Sequence, residues 1–163
     1  MPIIPLSVFE TKRSCQDCDA CCYVLEVKEL NKKQYTNCEH KKEGGGCNIW
    51  GKPSRPDVCH SWNCAWLFSW LPEECRPDKS GIVFYPVAAH LTDAKIAHVA
   101  GQEVWEGAYD SELGKKAFNY LSIKMLTVLR HFASEKFSIG GPADQVRKWK
   151  ENIADEGNLI SQL

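Results

Sequence analysis

The sequence predicts a small α+β domain from three observations: a cysteine-crowded, proline-broken first half, two β-branched apolar runs after residue 80, and helically spaced apolar residues over the last third. At 163 residues and 44% hydrophobic content, the chain is long enough for one packed domain and short for two. Residues 1–163 are therefore read as a single domain. Residues 14–80 form its loop-rich half, and residues 81–163 form a strand-strand-helix-helix half whose strand pair packs on two C-terminal helices.

Pro2 and Pro5 fix φ and remove two amide donors, so residues 1–13 read as an extended lead-in with the character of an edge strand. From residue 14, Gly44-Gly45-Gly46 and Pro53, Pro56, Pro72 and Pro77 punctuate the chain into small loops. Pro56 suits a first helical turn and pushes Arg55 out of the α region. A helix continuing from it puts Cys59, Trp62, Trp66 and Trp70 on one stripe, read as core packing, with Cys64 on the far side. Ile82-Val83-Phe84-Tyr85-Pro86-Val87 and Ile96 to Trp105, bounded by Lys79-Ser80-Gly81, Thr92-Asp93 and Gly107, read as antiparallel neighbouring strands. Asp110 or Ser111 caps a long helix carrying Leu113, Ala117, Leu121, Met125 or Leu126, Leu129 and Phe132, ended by Gly140-Gly141. A shorter helix runs from Pro142 to about Ala154 with Val146, Trp149 and Ile153 on its apolar face. Gly157 to Leu163 reads as a loosely docked tail.

Twenty Lys+Arg against twenty-one Asp+Glu leave a formal charge of −1, with eleven positives in residues 1–80 and nine after them. That balance gives no support to a nucleic-acid partner or an anionic membrane surface. The longest nearly apolar run, Trp62 to Leu71, is about half of the roughly 20 residues a spanning helix needs. The amino terminus has no basic n-region and meets Glu10, Lys12 and Arg13 at once, unlike a secretory signal, so a cytoplasmic location is expected.

Nine cysteines are the anomaly: eight precede residue 65 and only Cys75 follows. An odd count in a reducing compartment favours metal ligation or redox chemistry over a disulfide framework. Cys15-x2-Cys18-x2-Cys21-Cys22 is the densest block. Two-residue spacing lets both thiolates of a turn point at one ion, at about 2.3 Å for zinc, and the same run matches the start of a bacterial ferredoxin motif. The competing reading is a helix capped by Ser14 in which Cys15, Cys18 and Cys22 are small buried hydrophobes. Adjacent side chains diverge, so Cys21 and Cys22 do not easily serve one mononuclear site. The candidate metal ligands are Cys15, Cys18, Cys21, Cys22, Cys38, Cys47, Cys59 and Cys64, which divide into two four-thiolate sites or one cluster with four thiols over. His40 and His60 stand beside them as possible mixed ligands, and Arg55 as a donor to thiolates or a plain surface residue. The glycine triplet offers positive φ and room for close approach, or is simply a flexible loop. Gly46-x4-Gly51-Lys52 lacks a hydroxyl at Pro53 and a preceding buried strand, which excludes a phosphate loop. Cys75 has no nearby partner and reads as a bystander; His90, His98 and His131 carry no motif.

Taken in order, Cys15-x2-Cys18-x2-Cys21-Cys22, Cys38, Gly46-Cys47-Asn-Ile-Trp and Arg55-Pro56-x2-Cys59-x4-Cys64 resemble the small bacterial CxxCxxCC "cysteine cluster" proteins, a zinc- or iron-chelating family. Leu71-Pro72 and Arg76-Pro77-Asp78-Lys79-Ser80-Gly81-Ile82-Val83 resemble further segments of it, and Cys75 departs from its pattern. The resemblance implies a bacterial cytosolic protein that binds metal through the matching cysteines; it implies no substrate. A resemblance of the cysteine block to the cluster region of flagellin lysine methylases tilts the expectation from zinc toward an iron–sulfur centre such as [4Fe–4S].

The leading expectation is a chiefly structural metal, because four protein thiolates leave no open position for substrate. Redox or catalytic use of an iron–sulfur centre is the alternative, with metal delivery or sensing third. No acid–base pair can be nominated for catalysis: the carboxylates are scattered and none is tied by spacing to a histidine. The expected partner is the metal ion or cluster, with an unidentified protein partner left open.

Overall fold

A computed structural model describes residues 9–11, 13–89 and 96–155. Most of the lead-in (residues 1–8 and 12), His90, the Thr92-Asp93 turn and the tail from Gly157 lie outside the described residues. The architecture is α+β, built on a four-stranded sheet in sequence order. Its strands are β1 (Ile82–Val87), β2 (His98–Glu103), β3 (Thr127–Arg130) and β4 (Phe137–Gly140). β1 and β2 pair antiparallel, as do β3 and β4, while β2 and β3 run parallel.

The helices are α1 (Ala20–Val24), α2 (Asp57–Ser61), α3 (Pro77–Ser80), α4 (Glu112–Ser122) and α5 (Ala143–Asp155). α4 makes the crossover that a parallel pair requires. Ser111 caps it, its hydroxyl accepting from the Gly114 amide at 2.9 Å. Ala117, Phe118 and Leu121 of α4 bury against one side of the sheet. Trp149 of α5 buries with Leu126 and Val128, and Val146 and Ile153 pack against them. Leu129 joins the α4 core while Val128 joins the α5 core, so β3 is covered on both faces.

Two expectations are corrected. The single long helix ending at Gly140-Gly141 is instead α4, β3 and β4: the chain leaves the helix at Ile123 and forms two four-residue strands. Leu121, Met125 and Leu129 keep helical spacing across that break, but Thr127-Val128-Leu129 is buried on both faces and pairs with β2, which a continuing helix could not do. The tryptophan stripe after Pro56 is not helical either, since α2 stops where Trp62 becomes extended. The Ala65 amide then bonds the Phe84 carbonyl at 2.7 Å, turning the chain onto β1.

The first half rests on that frame. Ala20 and Val24 of α1 bury in the same core as Ile82, Val83 and Phe84. Gly101 on β2 makes room for the Phe84 ring, which a Cβ there would meet at 2.6 Å. Trp66, Leu67 and Leu71 close the core edge, and Arg13 clamps this turn by donating to the Trp66 and Leu71 carbonyls at 3.1 and 2.9 Å. Among the described residues no helix is long and apolar enough to cross a membrane.

Candidate metal centre

All eight of the cysteines singled out from the sequence line one cavity of about 480 Å³, and Cys75 is not among its lining residues. Five local devices bring them there. Cys15 and Cys18 sit on a turn closed by the Cys18 amide and Cys15 carbonyl at 2.8 Å. Cys21 and Cys22 follow on α1, so the helix reading that began at Ser14 applies only from Ala20. Cys38 and Cys47 flank a hairpin-like loop joined by the Lys41↔Cys47 bridge and by the Asn48 amide on the His40 carbonyl at 2.8 Å. Cys59 lies on α2, and Cys64 opens the turn whose amides at Leu67 and Phe68 return to its carbonyl.

The glycine triplet is a docking element. Gly44, Gly45 and Gly46 hold φ of +82°, +106° and +87°. A Cβ at Gly45 would stand 2.2 Å from the Asp17 carbonyl oxygen, and one at Gly46 would stand 2.9 Å from that of Gln16. The second cysteine loop therefore lies backbone to backbone on the Cys15–Cys18 turn, an approach only glycine permits. Lys41 reinforces it through an ion pair with Asp19 at 2.9 Å. From the opposite side Arg76, 9% exposed, pairs with Asp17 at 2.7 Å and with Asp78 at 2.6 Å, and reaches Gln16 at 3.2 Å. Sequence does not mark Arg76 as a site residue, because an arginine beside a proline carries no spacing signal toward residue 17.

Charge and burial shape the thiols. Burial pushes Cys15 up to about 12, helped by Cys64, Cys18 and Cys22. Cys18 is pushed up to about 11, again mainly by burial, and the amides of Ala20 and Asp78 donate against that rise. Burial also raises Cys64, opposed by the Leu67 and Trp66 amides. The Cys21 thiol donates to Cys22, which raises Cys21 and brings Cys22 down to about 7. Burial raises Cys38 and Cys59 as well, with Lys32 opposing at Cys38 and Arg55 at Cys59. Amides and cations aimed at sulfur favour the thiolate, the form that ligates metal.

Lys32 is the residue the sequence hid. It is 6% exposed, donates to the Tyr23, Leu25 and Lys33 carbonyls, and lines the cavity beside the thiols. Nothing distinguishes it from Lys33 in sequence; only the Val27↔Lys32 bridge turns it inward. Arg55 also lines the cavity, its guanidinium 4.0 Å above the Trp50 ring. His40 lines the cavity and has Glu39 at 3.6 Å, whereas His60 is not among the lining residues. Trp62, Trp66, Val83 and Tyr85 supply the apolar wall.

Four thiolates at about 2.3 Å from one zinc would stand about 3.8 Å apart. Among the described residues no group of three or more His, Cys, Asp or Glu side chains is gathered to hold an ion in that way. The thiols ring a space instead of converging on a point. Comparison with family models, with curated proteins and with solved structures found no match to the chain.

Proposed function

We propose that this is a cysteine-ligated metal-binding protein whose metal is chiefly structural, with an iron–sulfur centre favoured over zinc. One observation carries the reading: eight cysteines from four separate stretches of the chain share the lining of one cavity, while the ninth, Cys75, is buried elsewhere in the core. The donor set is all soft thiol, suited to zinc or iron–sulfur and unsuited to magnesium or calcium. About 480 Å³ is large beside the roughly 30 Å³ of a single water-sized body, which favours a multi-atom cluster.

The structural role follows from what the cysteine loops lack. From Leu25 to Asn63 only Lys32 and Gly46 are buried, so this stretch has no apolar core of its own. Cross-links through sulfur would replace that core, as in small metal-stapled domains. When bound, an iron–sulfur centre would also supply one-electron chemistry. The chain's own residues hold the thiols near amides and cations, and Trp62, Trp66 and Tyr85 exclude water on one wall. Eight free thiols together would oxidise outside a reducing compartment, so the cytosol is the proposed location, and the CxxCxxCC resemblance is consistent with this reading.

The test is a visible spectrum with iron, zinc and acid-labile sulfide analysis on protein purified without oxygen. Brown protein with iron and sulfide, bleached reversibly by reductant, is expected. Colourless protein with stoichiometric zinc would keep metal binding and reverse the choice of metal; metal-free folded protein would overturn the proposal.

A further inference from the structure

We propose that Ser138, His131 and Glu103 form a nucleophilic site for small carboxylic esters, with Ser138 the nucleophile, His131 its base and Glu103 the residue that positions the base. The site belongs to the sheet half; none of the three lines the cysteine cavity, so the proposal stands apart from the metal reading. Glu103 closes β2 and is 2% exposed. Its carboxylate is fixed from two loops: Oε1 accepts from the Tyr109 amide at 2.6 Å, and Oε2 accepts from the Phe132 amide at 2.7 Å. His131 follows β3, and its amide bonds the Lys136 carbonyl at 3.0 Å, closing the β3–β4 hairpin. Phe137 and Ile139 pack toward α5, so strand alternation turns Ser138 to the α4 side, as it does its cross-strand partner Leu129. There His131 Nε2 and Ser138 Oγ stand 2.9 Å apart, while His131 Nδ1 faces Glu103 Oε2 at 3.6 Å.

A carboxylate only accepts, so it draws the ring proton to Nδ1 and leaves the Nε2 lone pair facing the Ser138 hydroxyl. Nucleophile, base and orienting acid then stand in the order that covalent catalysis needs. The 3.6 Å contact is long for a hydrogen bond, as such contacts often are before substrate tightens them. The His131 side chain is 26% exposed and Ser138 is half-buried, so a small molecule can reach both. The Tyr109 ring stands edge-on to the imidazole at 5.5 Å, with Phe118 another 5.3 Å beyond it, and this apolar flank suits an uncharged short acyl group. In the reaction, the bond from Oγ to the ester carbonyl carbon forms as the Oγ proton passes to Nε2. The bond to the alcohol oxygen then breaks, and the alcohol leaves with that proton. Water repeats the same transfers on the acyl-serine and releases the acid.

The experiment treats the full chain, prepared without oxygen, with an alkyl fluorophosphonate, which phosphonylates an activated serine as fluoride leaves. Peptide mapping of wild type should find the label on Ser138, and heat-unfolded protein should take none. Ser138→Ala should lose both the label and steady turnover of p-nitrophenyl acetate. His131→Gln should slow labelling by about 10²–10⁴-fold with circular dichroism unchanged. Glu103 is buried, so its role is read without a variant: nitrogen NMR of histidine-labelled wild type in alkaline buffer should place the His131 ring proton on Nδ1. Absence of label, label on a cysteine or another serine, or ester turnover unchanged in Ser138→Ala would overturn the nucleophile. A ring proton on Nε2 would overturn the positioning role of Glu103. If either variant fails to fold, the labelled position and the ring proton in wild type still decide.

Discussion

The sheet half and the cysteine half differ in what keeps their backbones in place. From Ile82 onward, order comes from paired strands and a continuous apolar core, with Phe84, Ile82, Leu121 and Leu129 fully buried. Between Leu25 and Asn63 the regular elements are a 3-10 turn, the five-residue α2 and two isolated bridges, and the buried residues are a lysine and a glycine. One region is held by burying surface from water; the other is joined by ion pairs and backbone contacts, with eight free thiols lining its cavity. On the proposed reading, metal bound to those thiols supplies the missing cross-links, and the region has little to hold it once that metal goes.

The largest effect is expected from a cavity in the sheet core. Phe84 is fully buried, so Phe84→Ala should cost about 3–5 kcal/mol and lower the denaturation midpoint of both halves together, because α1 and the Cys64 turn share its core. A loss confined to the sheet would show that the halves are independent. From the cysteine side, Gly45→Ala sets a Cβ against the Asp17 carbonyl in a left-handed backbone and should cost about 3 kcal/mol, with loss of bound metal. Gly44→Ala, with nothing within 4 Å, should cost only about 1 kcal/mol and keep the metal. Equal effects would mean that the loop does not dock as described.

Cys75 sharpens the boundary between the two kinds of order. It is fully buried and lies outside the cavity lining, so Cys75→Ala should lower stability by about 1 kcal/mol and leave metal content unchanged. The smallest effect is at His98, whose burial holds its imidazole below the ordinary value of 6.5. Burial disfavours the protonated ring in the folded state, so the contribution is intact above pH 6.5 and is lost as pH falls below it. Urea midpoints between pH 7.5 and 5.5 should decline less steeply in His98→Gln than in wild type.

What the sequence made legible follows the same division. β1, α5 and the Ser111 cap were readable because local pattern and tertiary burial agree there. β3 was hidden because Leu121, Met125 and Leu129 repeat at helical spacing, and only pairing with β2 decides for a strand. Among the site residues, the cysteines announced themselves by density and spacing. Lys32, Arg76 and the docking of Gly45 on Asp17 did not, since each depends on a contact between segments that spacing cannot report.

On the proposed reading, metal holds the cysteine half while the sheet half holds itself. Amide hydrogen exchange, measured on the full chain before and after anaerobic metal removal, tests it most directly. Amides from Leu25 to Asn63 should lose their protection while those of β1 to β4 keep theirs. Unchanged protection across that stretch after the metal has gone would contradict it.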